Sequence, residues 1–240
     1  MSKRSKRFAA LQSKVDRLRR YSTSEAFELV SEMANATFNE SVDVAIRLGV
    51  NPRHADQMVR GACSLPHGTG KGVKVLVFAE GEGAKLANEA GADFVGGDEL
   101  IEKIKKEGWL GFDKAIASRP MMPKIARSLG RILGPRGLMP NPKIGTVVDD
   151  SKLAETVASL KRGKIDFRVD KTGIVHTTIG RGEMSAEQLQ DNFITLVSTL
   201  IRLKPASAKG SYFKGISVSS TMGPGVRVDA NDAQRVADRS

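Results

Sequence analysis

The amino-acid sequence predicts an α/β protein of two domains, one of them assembled from both ends of the chain. Two observations carry this prediction. Short strands of alternating polar and apolar residues occur near both termini, as in an antiparallel sheet with one wet face. The middle of the chain instead alternates helices with strands, and its first strand is nearly all apolar, as in a parallel sheet covered on both faces.

The predicted domains are interleaved along the 240-residue chain. Segments 1–67 and 161–240 should form a discontinuous split α+β sandwich with a mostly antiparallel sheet, and this domain begins with a basic arm over 1–20. Segment 68–160 should form an inserted three-layer, Rossmann-like α/β domain with a parallel sheet. Because the insertion hangs on two adjacent connections, we expect a hinge that is flexible yet limited in direction.

The terminal segments supply two predicted helices and four predicted strands. Apolar side chains recur on one helical face over 24–36 and over 185–203, where Ser185 and Gln188 form a capping box. Alternation of polar and apolar residues predicts strands at 42–48, 165–169, 174–179 and 215–222. The second and third strands are separated by the turn Asp170–Gly173, so we expect them to pair as a hairpin.

The middle segment alternates strands and helices from Val73 to Leu160. Its first strand, 73–78, is almost continuously apolar, which is typical of a strand buried on both faces. The elements that follow are predicted at 83–90, 93–95, 98–107, 113–117, 122–133, 147–148 and 151–160. We interpret Asp149 and Asp150, which directly precede the last helix, as an N-terminal cap rather than as a catalytic pair of carboxylates.

Charge is the most informative quantity in the composition. The chain has 38 lysines and arginines against 27 aspartates and glutamates, a net charge of +11 and a pI near 9.9. A surplus of this size favours a polyanionic partner, most simply RNA or DNA. Eight basic side chains and one acid lie in 1–20, and six basic side chains and no acid lie in 119–145. Phosphate contact by these segments is our interpretation, with a solvated charge run as the alternative for the arm.

The sequence contains no recognisable catalytic, metal or cofactor site. Gly68–Lys71 lacks the spacing of a phosphate loop and precedes a strand, whereas a phosphate cradle lies between a strand and a helix. The three histidines lie far apart, and the single Cys63 can form neither an internal disulfide nor a zinc cluster. No apolar run approaches the roughly 18 residues of a membrane span. We therefore expect no cofactor, metal or membrane partner, and a reducing, cytoplasmic setting.

Two polar segments indicate contact with nucleic acid. In the first, Lys124, Arg127 and Arg131 are spaced i, i+3 and i+7 along a predicted helix. Arg136 and Lys143 follow in a loop rich in glycine and proline. We treat these five side chains as a secondary basic patch, and a solvated helix face with a structural loop is the alternative.

The second polar segment is Ser219–Gly225. Hydroxyl groups beside a glycine at the end of a strand can hydrogen-bond the sugar 2′-OH and phosphate groups of RNA closely. A turn that simply uses turn-forming residues is the alternative.

These two segments resemble the bacterial large-subunit ribosomal protein L1 family. The likeness lies in residues 129–142, Leu-Gly-Arg-Ile-Leu-Gly-Pro-Arg-Gly-Leu-Met-Pro-Asn-Pro, and in Ser220–Pro224, which contains a Thr-Met-Gly motif. Three further segments match the family in order, namely Leu65–Lys71, Ala90–Gly97 and Asp170–Gly173. The resemblance implies the split two-domain fold already indicated by the periodicity.

The resemblance also implies a structural ribosomal protein and not an enzyme. The RNA partner it implies is the large-subunit ribosomal RNA at the mobile stalk near the tRNA exit site, where the protein would assist release of deacylated exit-site tRNA. It implies a second role in which the free protein, a monomer, binds its own messenger RNA and represses its own operon. The alternative is an RNA- or nucleotide-processing enzyme that uses the middle domain.

The family's RNA contacts, carried onto this chain, fall in the domain made of both termini. They are Glu28, Phe38, Ser41, Asp170, Lys171, Thr221, Met222 and Gly223. Thr37 stands where the family usually has lysine, which would remove one phosphate contact. Asp170 is an unusual residue to face RNA, but a carboxylate can accept from a 2′-OH or a base amino group.

Overall fold

The structure is a computed structural model that describes residues 5–239. Contacts between residues divide the chain into two compact units. The terminal unit comprises the chain up to Lys71 together with the chain from Ile165, and the middle unit comprises Gly72–Lys164.

Helices and strands occur in both units. In chain order they are α1 (Lys6–Ser13), α2 (Thr23–Met33), β1 (Ser41–Leu48), β2 (Arg60–Ser64), β3 (Val75–Phe78), α3 (Gly81–Glu89), β4 (Phe94–Gly96), α4 (Asp98–Glu107), β5 (Lys114–Ser118), α5 (Met122–Leu133), β6 (Val147–Val148), α6 (Leu153–Lys161), β7 (Lys164–Arg168), β8 (Ile174–Arg181), α7 (Ala186–Arg202), β9 (Phe213–Ser220), β10 (Val226–Val228) and α8 (Ala230–Arg239). Short 3₁₀ helices lie at Ala55–Gln57, Pro142–Ile144 and Asp150–Lys152.

The terminal unit is built on an antiparallel sheet, as the alternating strands predicted. Its strands lie in the order β10–β9–β1–β8, and every neighbouring pair is antiparallel. Alternate residues of β1, from Val42 to Leu48, are buried in one core with α2 and α7. Phe27 of α2 and Phe193 of α7 anchor that core, with ring centroids 5.3 Å apart. The intervening residues of β1 face the other side of the sheet, which is polar.

The predicted hairpin of β7 and β8 is reduced to one antiparallel bridge, between Val169 and Val175. The turn between them is present, since the N–H of Asp170 donates to the carbonyl oxygen of Ile174 at 2.8 Å. The two strands nevertheless join different sheets, because β7 pairs with β2 and β8 pairs with β1. Alternation shows that one face of a strand is buried but does not identify its partner. The partner here, β2, has glycine, alanine and cysteine at its centre and is not among the predicted strands.

The middle unit has three layers, as predicted. Its sheet is parallel throughout, in the order β4–β3–β5–β6. Leu76 and Phe78 of β3 pack on one face in a core with α4 and α5. Val75 and Val77 pack on the opposite face in a second core with α3 and α6. This alternation explains why all four residues of β3 are buried and why the strand is apolar throughout.

The expected capping role of Asp149 and Asp150 is wrong in detail. The helix α6 begins at Leu153 after a 3₁₀ turn, and neither carboxylate accepts a capping hydrogen bond. Asp149 instead forms an ion pair with Arg119, with 3.0 Å between Nε and Oδ1. Arg119, which directly follows β5, therefore binds the Asp149 carboxylate, which the sequence had suggested as a cap of the helix.

The basic arm is partly helical and partly packed. The hydroxyl of Ser5 accepts from the N–H of Phe8 at 3.3 Å and caps α1. Leu11 and Val15 are buried in the core of the terminal unit, so this part of the arm belongs to the fold. The basic residues predicted at positions 3 and 4 lie outside the described residues.

Candidate RNA interface

The Thr-Met-Gly motif meets the first residue of β1. The N–H of Ser41 donates to Thr221 Oγ1 at 2.9 Å, and the N–H of Thr221 donates to the Ser41 carbonyl oxygen at 3.0 Å. The Thr221 hydroxyl donates to the same carbonyl oxygen at 3.2 Å. Two predicted contact residues that are 180 positions apart in the sequence are thus joined at one end of the sheet.

A buried carboxylate organises this end of the sheet. Glu40 is 2% exposed, and its two oxygens accept from the N–H of Ala36 at 2.9 Å and from the N–H of Met222 at 2.8 Å. Burial raises the pKa of Glu40, but these N–H groups, the Ser220 hydroxyl and the Arg7 guanidinium outweigh it and hold the pKa below its usual value. Ionised Glu40 therefore ties the loop before β1 to the Thr-Met-Gly turn.

Sequence reasoning missed Glu40, although the sequence carries a signal for it. Glu40 lies two residues before Val42 and is therefore in phase with the buried side of β1. An acidic residue at an inward-facing position needs hydrogen-bonding partners, because an unpaired buried charge is strongly unfavourable. Such a residue marks a place where backbone donors converge.

Arg7 completes the same cluster from α1. Its guanidinium donates to Asn35 Oδ1 at 2.9 Å and to the Met222 carbonyl oxygen at 3.1 Å. Its Nη1 also lies 4.0 Å from Glu40 Oε1. Met222 is therefore held at both its N–H and its carbonyl group, and one cation of the basic arm serves the turn directly. We call Arg7, Glu40, Ser41, Thr221 and Met222 the strand-end cluster.

Two large apolar side chains are exposed at this end of the sheet. Phe38 is 52% exposed and Met222 is 50% exposed. Phe38 is therefore not a core residue. Because the backbone around both residues is fixed by Glu40, their side chains are presented to solvent from an ordered support. Exposed apolar groups in such a setting are suited to packing on a ribose or a base.

Gly223 is required by the turn itself. Its N–H donates to the Ser220 carbonyl oxygen at 3.2 Å, and a Cβ at this position would lie 2.5 Å from Ser220 Oγ. The sequence suggested that RNA approaches the backbone closely at this glycine. In the structure, the Ser220 side chain already lies that close to Gly223. A larger residue here disturbs the turn before any ligand is considered.

Asp170 and Lys171 lie at the opposite end of the sheet. The Asp170 carboxylate accepts from the N–H groups of Ile174 and Thr172, both at 2.8 Å, and from the Thr172 hydroxyl. The N–H of Ile174, followed by the Thr172 groups, lowers the pKa of Asp170. Asp170 thus shapes the turn that presents the exposed Lys171. A direct contact between Asp170 and RNA stays a prediction.

The open face of the sheet connects the two ends. Leu48, the last residue of β1, donates to the Gly173 carbonyl oxygen at 2.8 Å. Since β1 has eight residues, its ends lie about 23 Å apart. Between them a shallow groove of about 410 Å³ is lined by the polar residues Asp43, His176, Thr177, Thr178, Ser217 and Ser219, together with Val44 and Ala45. The face offers hydroxyl, carboxylate and imidazole groups along its whole length.

Glu28 is a predicted contact residue that lies away from both the strand-end cluster and the open face of the sheet. It is exposed on α2, in the helical layer rather than on the open face. Among residues 5–239, Glu28 forms no hydrogen bond or ion pair with the strand-end cluster. Thr37, which replaces the family's usual lysine, is also exposed.

The secondary basic patch lies in the middle unit. α5 buries Ile125, Leu129 and Leu133 and leaves Arg127 and Arg131 exposed, as the helical spacing predicted. Lys124 forms an ion pair with Asp98, whose carboxylate raises the pKa of the lysine. Arg136 and Lys143 are exposed in the loop that follows. One of the five charges is therefore partly neutralised by the protein.

Between residues 5 and 239, no three histidine, cysteine or acidic side chains gather as possible metal ligands. Burial raises the pKa of the Cys63 thiol, which disfavours the reactive thiolate. In the same residues, no helix is long and apolar enough to cross a membrane.

A unit built from both ends of the chain, an α/β unit inserted between its two segments and a surplus of basic charge define a two-domain protein suited to a nucleic-acid partner. The model of the ribosomal protein L1p/L10e family matches residues 30–224, and the chain belongs to that family. It is 56% identical over 229 residues to the large ribosomal subunit protein uL1 of Desulfosudis oleivorans, with 95% of this chain and 96% of the relative covered. It is 55% identical over 228 residues to uL1 of Bdellovibrio bacteriovorus, with the same coverage.

Proposed function

We propose that the terminal unit binds the large-subunit ribosomal RNA at the mobile stalk near the tRNA exit site. The strand-end cluster with Phe38 and Gly223 forms one end of the interface. The turn of Asp170 and Lys171 forms the other end. The observation that carries this proposal is the polar face that runs between the two ends over about 23 Å. A surface of that length suits the shape of a folded RNA, whose wide minor groove displays 2′-hydroxyl groups.

The hydrogen bonds of Thr221 specify what kind of group it can bind. A hydroxyl has one hydrogen to donate and two lone pairs that accept. The Thr221 hydroxyl donates its hydrogen to the Ser41 carbonyl oxygen, and one of its lone pairs accepts a hydrogen bond from the N–H of Ser41. The remaining lone pair can accept from a ribose 2′-OH or a base amino group, but the hydroxyl has no hydrogen left for a phosphate. We therefore assign Thr221 to recognition of a sugar or a base.

The remaining groups at this end have complementary tasks. Met222 and Phe38 supply apolar contact, and Glu40 and Arg7 position the turn without facing the RNA. At the far end, Lys171 is an exposed cation suited to a phosphate. Glu28 would contribute only if the RNA extends past the open face onto α2.

Two further roles are part of the proposal. The exposed cations of the secondary basic patch, Arg127, Arg131, Arg136 and Lys143, would contact exit-site tRNA and assist release of the deacylated molecule. The free protein would bind its own messenger RNA through the same terminal interface and repress translation. One surface can serve both RNAs if they present the same folded shape.

Comparison of Thr221→Val and Thr221→Ser in the full chain tests the interface. Affinity would be measured for a stalk fragment of the ribosomal RNA and for a scrambled RNA of equal length. We expect Thr221→Val to lose about ten- to a hundredfold in affinity for the stalk fragment, with Thr221→Ser close to wild type. Wild-type protein that does not distinguish the two RNAs would refute the proposed function.

A further inference from the structure

We infer that Arg20, Lys214 and Arg227 form a second binding site, which holds a phosphate group of the RNA backbone. These cations line one shallow cavity of about 160 Å³ at the β9–β10 edge of the open face. None of them belongs to the family contacts carried onto this chain above. The inference rests on the proposed function, since it takes the phosphate to be part of the RNA that crosses that face.

The backbone explains why the three side chains converge. Arg227 lies between the buried residues Val226 and Val228, so its side chain faces the open side of the sheet. Arg20 precedes the buried Tyr21, which bridges Val228 in parallel and donates its N–H to the Arg227 carbonyl oxygen at 2.9 Å. The chain at Tyr21 therefore runs beside β10 and places Arg20 next to Arg227.

Lys214 reaches the cavity through an irregularity in β9. The register of β9 against β1 passes from Phe213, opposite Leu48, to Gly215, opposite Arg47, and so skips Lys214. Such a bulge leaves one extra residue unpaired and redirects its side chain. Lys214 is exposed and lines the cavity with the two arginines.

The charge of this site is not neutralised by neighbouring acids. Among residues 5–239, the ion pairs include none that involves Arg20, Lys214 or Arg227. Arg19, by contrast, pairs with Glu25 and lies over the Tyr21 ring. The nearby Asp229 accepts from the N–H of Asn231 at the start of α8. Three converging cations without a carboxylate partner are the chemistry that binds phosphate oxygens.

The position of the cavity favours RNA over a free anion. Ser217 lines both this cavity and the larger groove along the open face, so the two hollows are adjacent. A strand of RNA lying in the groove would bring a phosphate of its backbone to the cations. Because phosphate contacts position a nucleic acid without reading its sequence, this site should act equally on any RNA of the right form.

The salt dependence of RNA binding tests the site in the full chain. The variants are Arg20→Gln, Lys214→Gln, Arg227→Gln and the triple combination, with Arg235→Gln on the helical layer as a control of equal charge change. We expect the magnitude of the slope of log affinity against log salt to fall by about 0.7–0.9 in the triple variant, which loses the one phosphate contact, and by less in each single variant. The melting temperature should not change, since the three side chains are exposed.

Binding to the stalk fragment and to a scrambled duplex distinguishes failure of the phosphate site from failure of the proposed function. The triple variant should weaken binding to the stalk fragment and to a scrambled duplex by the same factor, whereas Thr221→Val should affect the stalk fragment alone. A selective wild type with an unchanged slope in the triple variant would overturn the phosphate site and leave the proposed function standing. If wild-type protein does not distinguish the two RNAs but the slope still falls in the triple variant, the proposed function would be overturned and the phosphate site would stand. Competition by inorganic phosphate at millimolar concentration, with no change in slope, would assign the cavity to a free anion and overturn the inference.

Discussion

The Glu40 carboxylate accepts a hydrogen bond from the N–H of Met222, with 2.8 Å between Oε2 and the nitrogen. The two residues are 182 positions apart, and this bond joins the start of the first strand to the turn after the ninth. The exposed Met222 side chain therefore stands on a backbone fixed by a buried charge. The consequences for stability and RNA binding can be measured separately.

Glu40→Gln should destabilise the protein. A glutamine keeps one oxygen to accept an N–H but presents its amide hydrogens to the other N–H, which is left unsatisfied. We expect the free energy of unfolding in urea to fall by about 1–3 kcal/mol. Glu32→Gln, which removes an exposed partner of Lys14, is the control and should change it by less than about 1 kcal/mol. Equal effects of the two substitutions would contradict the organising role of Glu40.

The stability provided by Glu40 should depend on pH. Its pKa is lower in the folded protein than the ordinary value of 4.5, so the stabilisation is present above that value and is lost as the pH falls through the folded pKa. The difference in unfolding free energy between wild type and Glu40→Gln should therefore be largest at neutral pH and shrink below about pH 4.5. Urea titrations at pH 7, 5, 4 and 3 measure it. A difference that stays constant over this range would show that the carboxylate charge is not the cause.

Gly223→Ala should lower the melting temperature, and Ser220→Ala should rescue it. The new Cβ would lie 2.5 Å from Ser220 Oγ but 3.6 Å from Ser220 Cβ, an ordinary contact. Removing the hydroxyl therefore removes the clash. Thermal unfolding of both single variants and the double variant measures the coupling. Additive losses in the double variant would mean that the turn needs glycine for another reason.

The RNA group that faces Thr221 should be a donor. Replacing the 2′-OH of the stalk fragment by 2′-O-methyl leaves an oxygen that cannot donate, and wild-type affinity should fall about tenfold or more. Thr221→Val has already lost the acceptor and should be affected less. Equal losses for wild type and variant would indicate that Thr221 does not accept from a ribose, and a base amino group would become the remaining assignment.

The local pattern of the sequence predicts most of this fold. Continuous apolarity identifies β3 as buried on both faces, and alternation from Val42 to Leu48 identifies a strand with one polar face. The partner of β7 could not be predicted, because alternation reports burial and not pairing. The helix α8 could not be predicted either, since its buried residues are Ala233 and Ala237, which give too weak an apolar stripe.

The candidate site could be predicted where one continuous segment contains its residues. The Thr-Met-Gly turn and the Asp170–Gly173 turn each show their polar groups in consecutive residues. The contacts of Arg7 with Met222 join residues 215 positions apart, and no local pattern reports such a pair. The cations at Arg20, Lys214 and Arg227 are likewise separated in sequence and meet only through the bulge in β9 and the bridge at Tyr21.

We expect the open face of the terminal unit to bind one folded element of the large-subunit ribosomal RNA. Hydroxyl-radical footprinting of the full chain on that RNA measures this binding. We expect wild-type protein to protect a single region at the mobile stalk and Thr221→Val at the same concentration to lose that protection, whereas Thr221→Ser, which keeps both hydrogen bonds to Ser41, should retain it. Protection scattered over the RNA, or a stalk footprint unchanged by Thr221→Val, would contradict the account.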